Sequence, residues 1–393
     1  MYYKIDKNLL QKVQTTSNKS IKQDCIIFGK NYDKLVRKVS CLYKYDIMAY
    51  YPFINSVKLS LNLDEMYKLS RVENVKYISS VAKVTALMHV TKEVHKINIM
   101  KDLRGSFSVC IIDTGIYPHL DFVLGRNRIV KFVDMINNIT VPYDDNGHGT
   151  FTAGVLSGTG LVSNKKYSGV YTNANIISVK ALDKNGETSA STILSAMQWV
   201  MDNKDTYNIK VVCMSFGADP TNALDPLMIG AEVLWNNGIT VVSAAGNSGP
   251  SRGTIKSPGT SNKIITVGAL DDRRENGKYN VPKFEVAEFS SRGPAFDYYK
   301  PDVLACGVNI ISTNNFVDHK FYTIMSGTSV STPVVAGIAS RMLSIYPKLT
   351  PMEIKTLVIA SCNKLNNNRN SEGFGWVDVE NMIKALPNLA KSN

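Results

Sequence analysis

The sequence predicts an α/β protein, a parallel sheet flanked by helices and preceded by a small α+β domain, and three observations carry that expectation. From Ile111 onward, short β-branched runs alternate with stretches of helical spacing, the pattern of strand–helix–strand units. The runs are apolar almost throughout rather than alternating, as strands buried on both faces are. The N-terminal fifth differs in rhythm and in charge: residues 1–88 hold 15 Lys and Arg against 7 Asp and Glu, a surplus of +8 out of the chain's +12.

In order along the chain, the N-terminal region reads as a strand at 25–28, a helix at 32–39, strands near 46–50 and 56–61, a helix opened by Asn62 with Glu65 three residues on, and a strand at 75–81. This βαββαβ order predicts a ferredoxin-like split-βαβ sandwich. Residues 85–101 lack a clear pattern and read as a connector. Beyond it, strands are expected at 108–113, 176–181, 211–216, 239–244 and 264–267, with helices at 192–201 and 226–235, the latter ended by Asn237-Gly238. Thr350-Pro351-Met352-Glu353 combines an N-cap, a first-turn proline and a capping-box glutamate, and a helix to about 361 follows. The Asn-rich patch at 366–370 reads as a loop.

With 393 residues and 44% hydrophobic content, the chain can bury one large core and a smaller one. The basic surplus comes with no Arg-rich helix, zinc-finger spacing or aromatic-basic motif, so it reads as a solvated face, and no nucleic-acid partner is expected. Charges occupy Lys4, Asp6 and Lys7, where a secretory signal needs an apolar stretch, and no run approaches the 18 apolar residues of a membrane span. Six scattered cysteines, three of them inside apolar runs (Cys110, Cys213, Cys306), suit buried free thiols. A cytoplasmic protein with no membrane partner is the resulting expectation.

Three motifs carry chemistry. Ile111-Ile112-Asp113-Thr114-Gly115 places an acid at the carboxyl edge of the sheet, where active sites of open α/β folds gather, although such aspartates often merely cap loops. Asn146-Gly147-His148-Gly149-Thr150 flanks an imidazole with glycines that permit close approach; the other four histidines, His89, His95, His119 and His319, lack such a setting. Ser326-Gly327-Thr328-Ser329 leads into the small and apolar run from Val334 to Ala339, so the Ser329 hydroxyl sits at the start of a buried helix, near N–H groups that favour negative charge, or is simply an N-cap. Val242-Ser243-Ala244-Ala245-Gly246-Asn247 ends a strand with an amide able to donate to an oxyanion, and Ser215-Phe216-Gly217 ends its neighbour with an exposed edge.

Together these segments resemble the subtilisin-like serine proteases, the subtilases, in the family order Asp, His, Ser. The resemblance runs from about Asp113 to Val379 and includes Ser290-Ser291-Arg292-Gly293-Pro294, Lys300-Pro301-Asp302 and Gly373-Phe374-Gly375-Trp376. The wording of Tyr143-Asp144-Asp145-Asn146-Gly147-His148 is similar to that of the intracellular AprX-type branch. What the resemblance implies is a subtilisin-like fold and an endopeptidase in which Ser329 is the nucleophile, His148 the general base and Asp113 its orienting acid. It implies an oxyanion hole from Asn247 and the Ser329 N–H. It implies substrate binding along Ser215, Phe216 and Gly217, at a pocket walled by Ala244, Ala245 and Gly246 with room for a large side chain, and at the loop carrying Gly186 and Glu187. Glu187 could favour basic residues upstream of the cut or simply face solvent.

The resemblance further implies that residues 1–88 form an inhibitory propeptide and residues 89–393 the catalytic domain, with self-cleavage in the connector at 86–90 and Leu87 or Met88 as the acyl residue; a permanently attached domain is the alternative. Proteins or peptides would be the substrates and the chain's own propeptide an intramolecular inhibitor. Asp121 matches a family calcium ligand, but the loop at 158–168 lacks the Asn-rich pattern and carries Lys165-Lys166. No cofactor is therefore required and no tight calcium site is expected. A catalytically silent subtilase fold used as a scaffold is the competing reading.

Overall fold

The computed structural model describes residues 4–5, 9–10, 22–42, 44–52, 55–80, 88–221, 225–274, 281–316 and 318–389. The chain divides into two compact units, Met1–Val84 and Thr85–Asn393, a boundary four residues before the one read from charge and rhythm.

The first unit is a four-stranded antiparallel sheet in the order β2-β3-β1-β4, from β1 (Gln23–Gly29), β2 (Ala49–Tyr51), β3 (Ser56–Leu61) and β4 (Val75–Ser80). Its helices are Tyr32–Arg37 and Leu63–Ser70, so the βαββαβ order holds. Asn62 and Glu65 form the reciprocal capping box, each side chain bonding the other's N–H at 2.9 and 2.8 Å. Ile27, Leu35, Val57, Leu59, Leu61, Met66 and Ile78 make a separate apolar core.

The second unit is built on a sheet in which β5 (Ser108–Asp113), β6 (Ile129–Asp134), β7 (Asn175–Lys180), β8 (Ile209–Met214), β9 (Thr240–Ala244), β10 (Ile265–Asp271) and β12 (Val303–Cys306) run parallel. The order is β15-β16-β12-β10-β9-β8-β5-β7-β6, with β15 (Cys362–Asn363) and β16 (Trp376–Val377) at one edge and β11 (Glu285–Val286) paired to β10. A hairpin of β13 (Ile310–Thr313) and β14 (Tyr322–Met325) stands apart. Every residue of β5 and of β9 is buried, which explains their largely apolar sequence. The Thr328–Ile345 helix lies along β8, β9, β10 and β12 and packs on the His148–Ser157 helix. The Ala190–Asn203 and Pro226–Asn236 helices pack on each other and reach β5 and β9.

Two readings are corrected. The connector at 85–101 contains a helix, Met88–Val94, and a 3-10 turn, Ile97–Ile99; residues 81–87, including Leu87, lie outside the described residues. Its order comes from partners remote in sequence, which local pattern cannot reveal: Arg341 donates to the carbonyls of Met100 and Lys101. The Asn-rich patch likewise enters a short helix, Arg369–Glu372, because Asn368 caps the Asn370 N–H at 2.9 Å. The three cysteines within apolar runs, Cys110, Cys213 and Cys306, are free and buried.

His95 fastens the 88–100 segment to the sheet. Its buried ring donates from Nδ1 to Val377 O at 2.6 Å and accepts at Nε2 from the Cys306 N–H at 3.1 Å, so both nitrogens of a neutral imidazole are satisfied. Burial holds its pKa below the ordinary 6.5, against weaker opposing pulls from Val377 O and Asp272. Replacing His95 by Phe strands two buried backbone groups and lowers the unfolding free energy by about 2–4 kcal/mol in equilibrium urea titration. Since the unfolded chain binds a proton near 6.5 where folded His95 does not, wild-type stability declines as the pH falls below that value, and this component of the slope is missing in His95→Phe.

Candidate active site

Asp113 ends β5 with 1% of its surface exposed. Its Oδ1 accepts from His148 Nδ1–H at 2.7 Å and from the Thr114 N–H at 2.7 Å, and its Oδ2 from the Thr152 hydroxyl at 3.3 Å. The proton on Nδ1 is assigned from this bond, which leaves Nε2 as the basic atom. Burial favours the neutral ring, but the charge and hydrogen bond of Asp113 outweigh it and hold the His148 pKa above 6.5. The side chain remains 26% exposed, open to a reacting group. Gly149 allows the helix start to meet the strand end: a Cβ there would collide with the Gly115 carbonyl.

The helix start is held by a residue that sequence reasoning did not single out. Asp144 Oδ1 accepts from the Thr114 hydroxyl at 2.9 Å and from the N–H groups of Asn146 and Gly147 at 3.1 and 2.8 Å. Its Oδ2 accepts from the Thr150 N–H at 2.8 Å and hydroxyl at 2.6 Å. Thr114 Oγ1 in turn accepts from the Gly149 N–H at 2.8 Å. One buried carboxylate thus ties the residue after Asp113 to both sides of His148. The available signal was Asp144-Asp145-Asn146-Gly147 itself, an aspartate positioned to bond N–H groups two and three residues on.

Ser329 is the second residue of the Thr328–Ile345 helix and is half-buried. Asn247 follows β9, and its Oδ1 accepts from the Thr328 N–H at 2.9 Å and hydroxyl at 3.0 Å. With Oδ1 so engaged, the donor end of the amide faces the serine. A Cβ placed on Gly327 would lie 3.0 Å from Ser329 Oγ and 3.3 Å from Asn247 Nδ2, so hydroxyl and amide flank one point, and glycine keeps it open. Thr328 is a second positioning residue missed from sequence, although it lay within the quoted motif; its hydroxyl also accepts from the Gly246 N–H at 3.1 Å. Among the described residues no hydrogen bond joins Ser329 Oγ to His148. Nucleophile–base bonds of this kind commonly tighten only with substrate in place.

The expected substrate segments surround these groups. Ser215 is buried, Phe216 half-buried and Gly217 exposed, directly after β8. Ala244 and Ala245 are buried and Gly246 is half-buried. Gly186 and Glu187 sit in a turn in which Asp183 Oδ1 accepts from the Glu187 N–H at 2.9 Å. Asn146 Nδ2, two residues from His148, donates to the Lys184 carbonyl of the same turn at 3.0 Å. The Glu187 side chain is exposed.

Asp121 Oδ2 accepts from the Tyr322 hydroxyl at 2.8 Å and its Oδ1 from the Val162 N–H at 3.2 Å. Among the described residues no group of three or more His, Cys, Asp or Glu is arranged to hold a metal. Replacing Tyr322 by Phe therefore lowers stability by about 1–3 kcal/mol in equilibrium urea unfolding, and EDTA leaves the wild-type Tm unchanged. A chelator-induced fall in Tm that is absent from Asp121→Asn would instead locate a metal there.

Residues 105–377 match the description of the subtilase family. The chain is 40% identical over 341 residues to the serine protease AprX of Bacillus subtilis (strain 168), covering 80% of this chain and 76% of that protein. It is 30% identical over 339 residues to a thermostable alkaline protease of Halalkalibacterium halodurans, covering 85% of each. Among solved structures, Sphericase superposes with a TM-score of 0.61 at 26% identity, over 74% of this chain and 97% of that one. The S41 psychrophilic protease superposes with a TM-score of 0.63 at 26% identity, over 76% of this chain and all of that one. With an Asp–His pair and a serine at a helix start on a parallel α/β sheet, the chain belongs to the subtilase family of serine endopeptidases.

Proposed function

We propose that Asp113, His148 and Ser329 hydrolyse peptide bonds in proteins through an acyl-enzyme, and that residues 1–88 are an inhibitory propeptide removed by self-cleavage. Ser329 Oγ attacks the scissile carbonyl carbon while His148 Nε2 takes its proton. Asp113 keeps Nδ1 protonated and stabilises the imidazolium. The oxyanion accepts from Asn247 Nδ2 and the Ser329 N–H. Collapse expels the amine, which leaves with the proton from His148, and a water then repeats the sequence to release the acid. The observation that carries this reading is the 2.7 Å bond from His148 to the buried Asp113; the Asn247 amide, turned by Thr328, supports it.

The substrate backbone would pair as an added strand along Ser215, Phe216 and Gly217, with its principal side chain against Ala244, Ala245 and Gly246. The separate βαββαβ unit supports the propeptide role. Met88 opens a helix and a protease needs an extended chain, which favours cleavage before Met88 over cleavage after it. Six free cysteines fit a reducing, intracellular compartment.

A fluorophosphonate probe is expected to label the wild-type chain and not Ser329→Ala, and Ser329→Ala is expected to keep its full length. Equal labelling of the two would favour the silent scaffold, and shortening of Ser329→Ala in the absence of other proteases would end the self-cleavage reading. Asn247→Ala is expected to lose roughly 10²–10³ in kcat with little change in KM, the range measured for removing the corresponding donor of subtilisin.

A further inference from the structure

Gly217 and Gly246, on the two segments assigned to the substrate pocket, both face the same side chain. A Cβ on Gly217 would lie 2.5 Å from Lys256 Cβ, and a Cβ on Gly246 would collide with Lys256 Cγ. The backbone explains why. The Lys256 N–H donates to Ala245 O at 2.9 Å, while Ser257 exchanges hydrogen bonds with Ala218 at 2.9 and 2.8 Å. Residues 256–257 therefore run between the two walls and close the space that their small residues leave. The room expected for a large side chain is partly filled by the aliphatic stem of a lysine.

The ammonium at the end of that stem pairs with Asp219. The lysine side chain is 22% exposed, whereas that of Asp219 is 86% exposed. An ammonium offers three donors, and an ion pair to so exposed a carboxylate is weak and easily exchanged. Stem and ammonium together suit a ligand with methylenes followed by an acceptor.

Resting on the protease reading above, we propose that Lys256 forms the base of the principal substrate pocket and selects a side chain ending in a carboxylate or amide acceptor before the scissile bond, glutamate foremost, while rejecting lysine and arginine. Asp219 acts as the exchangeable counter-ion that glutamate replaces.

The test uses the full chain as it matures on expression and peptide p-nitroanilides that differ only in the last residue: Phe, Gln, Glu or Lys. In the wild type, kcat/KM for Glu is expected to exceed that for Lys by about tenfold or more, the scale of one charge-assisted hydrogen bond. In Lys256→Met the Glu-to-Phe ratio should fall about tenfold, and in Asp219→Asn it should rise, since the competing carboxylate is gone. Asp219 is almost fully exposed, so that variant decides the matter if Lys256→Met fails to fold. Ratios within twofold of wild type in Asp219→Asn, and in Lys256→Met where it folds, would overturn the assignment and leave the protease reading intact. Failure to cleave any of the four peptides, with no fluorophosphonate labelling, would instead sink the protease reading.

Discussion

The site depends on one constraint, a carboxylate buried at the end of a central strand and satisfied by an imidazole. Burying an ionised group without partners is costly, and Asp113 meets the cost with hydrogen bonds from His148, Thr114 and Thr152. Those bonds fix the tautomer of His148, and the same charge raises its basicity. The orientation of the ring thus follows in part from the stability of the sheet end.

What surrounds the pair extends the same logic. Asp144 ties Thr114 to the backbone on both sides of His148, so strand end and helix start move as one body. The Thr328–Ile345 helix packs on the His148–Ser157 helix and runs along four strands, which carries Ser329 to the carboxyl edge where Asn247 also emerges. Thr328 then turns the Asn247 amide. The Asp144 carboxylate and the Asn247 amide oxygen are thereby used as anchors so that the groups beside them present the correct face.

Much of this was legible in the sequence. The strand at 108–113 matches β5 residue for residue, and the capping signals at Asn62 and Thr350 mark true helix starts, because those signals are local. Asp113, His148, Ser329 and Asn247 emerged from their joint order. Thr328 and Lys256 did not, because their importance lies in partners 37 to 82 residues away; Asp144 did not either, although most of its bonds are to groups two, three and six residues on. His95 and the 88–94 helix were missed for the same reason as Thr328 and Lys256, since the bonds from His95 span 282 and 211 residues. Small residues at 244–246 suggested open space, yet whether a gap stays empty depends on which remote side chain enters it.

The most direct measurement is an NMR titration of the His148 imidazole in the wild type and in Asp113→Asn. A midpoint above 6.5 in the wild type, falling when Asp113 loses its charge, is the result predicted from the balance of burial against the buried carboxylate. A wild-type midpoint at or below 6.5 that Asp113→Asn leaves unmoved would contradict it.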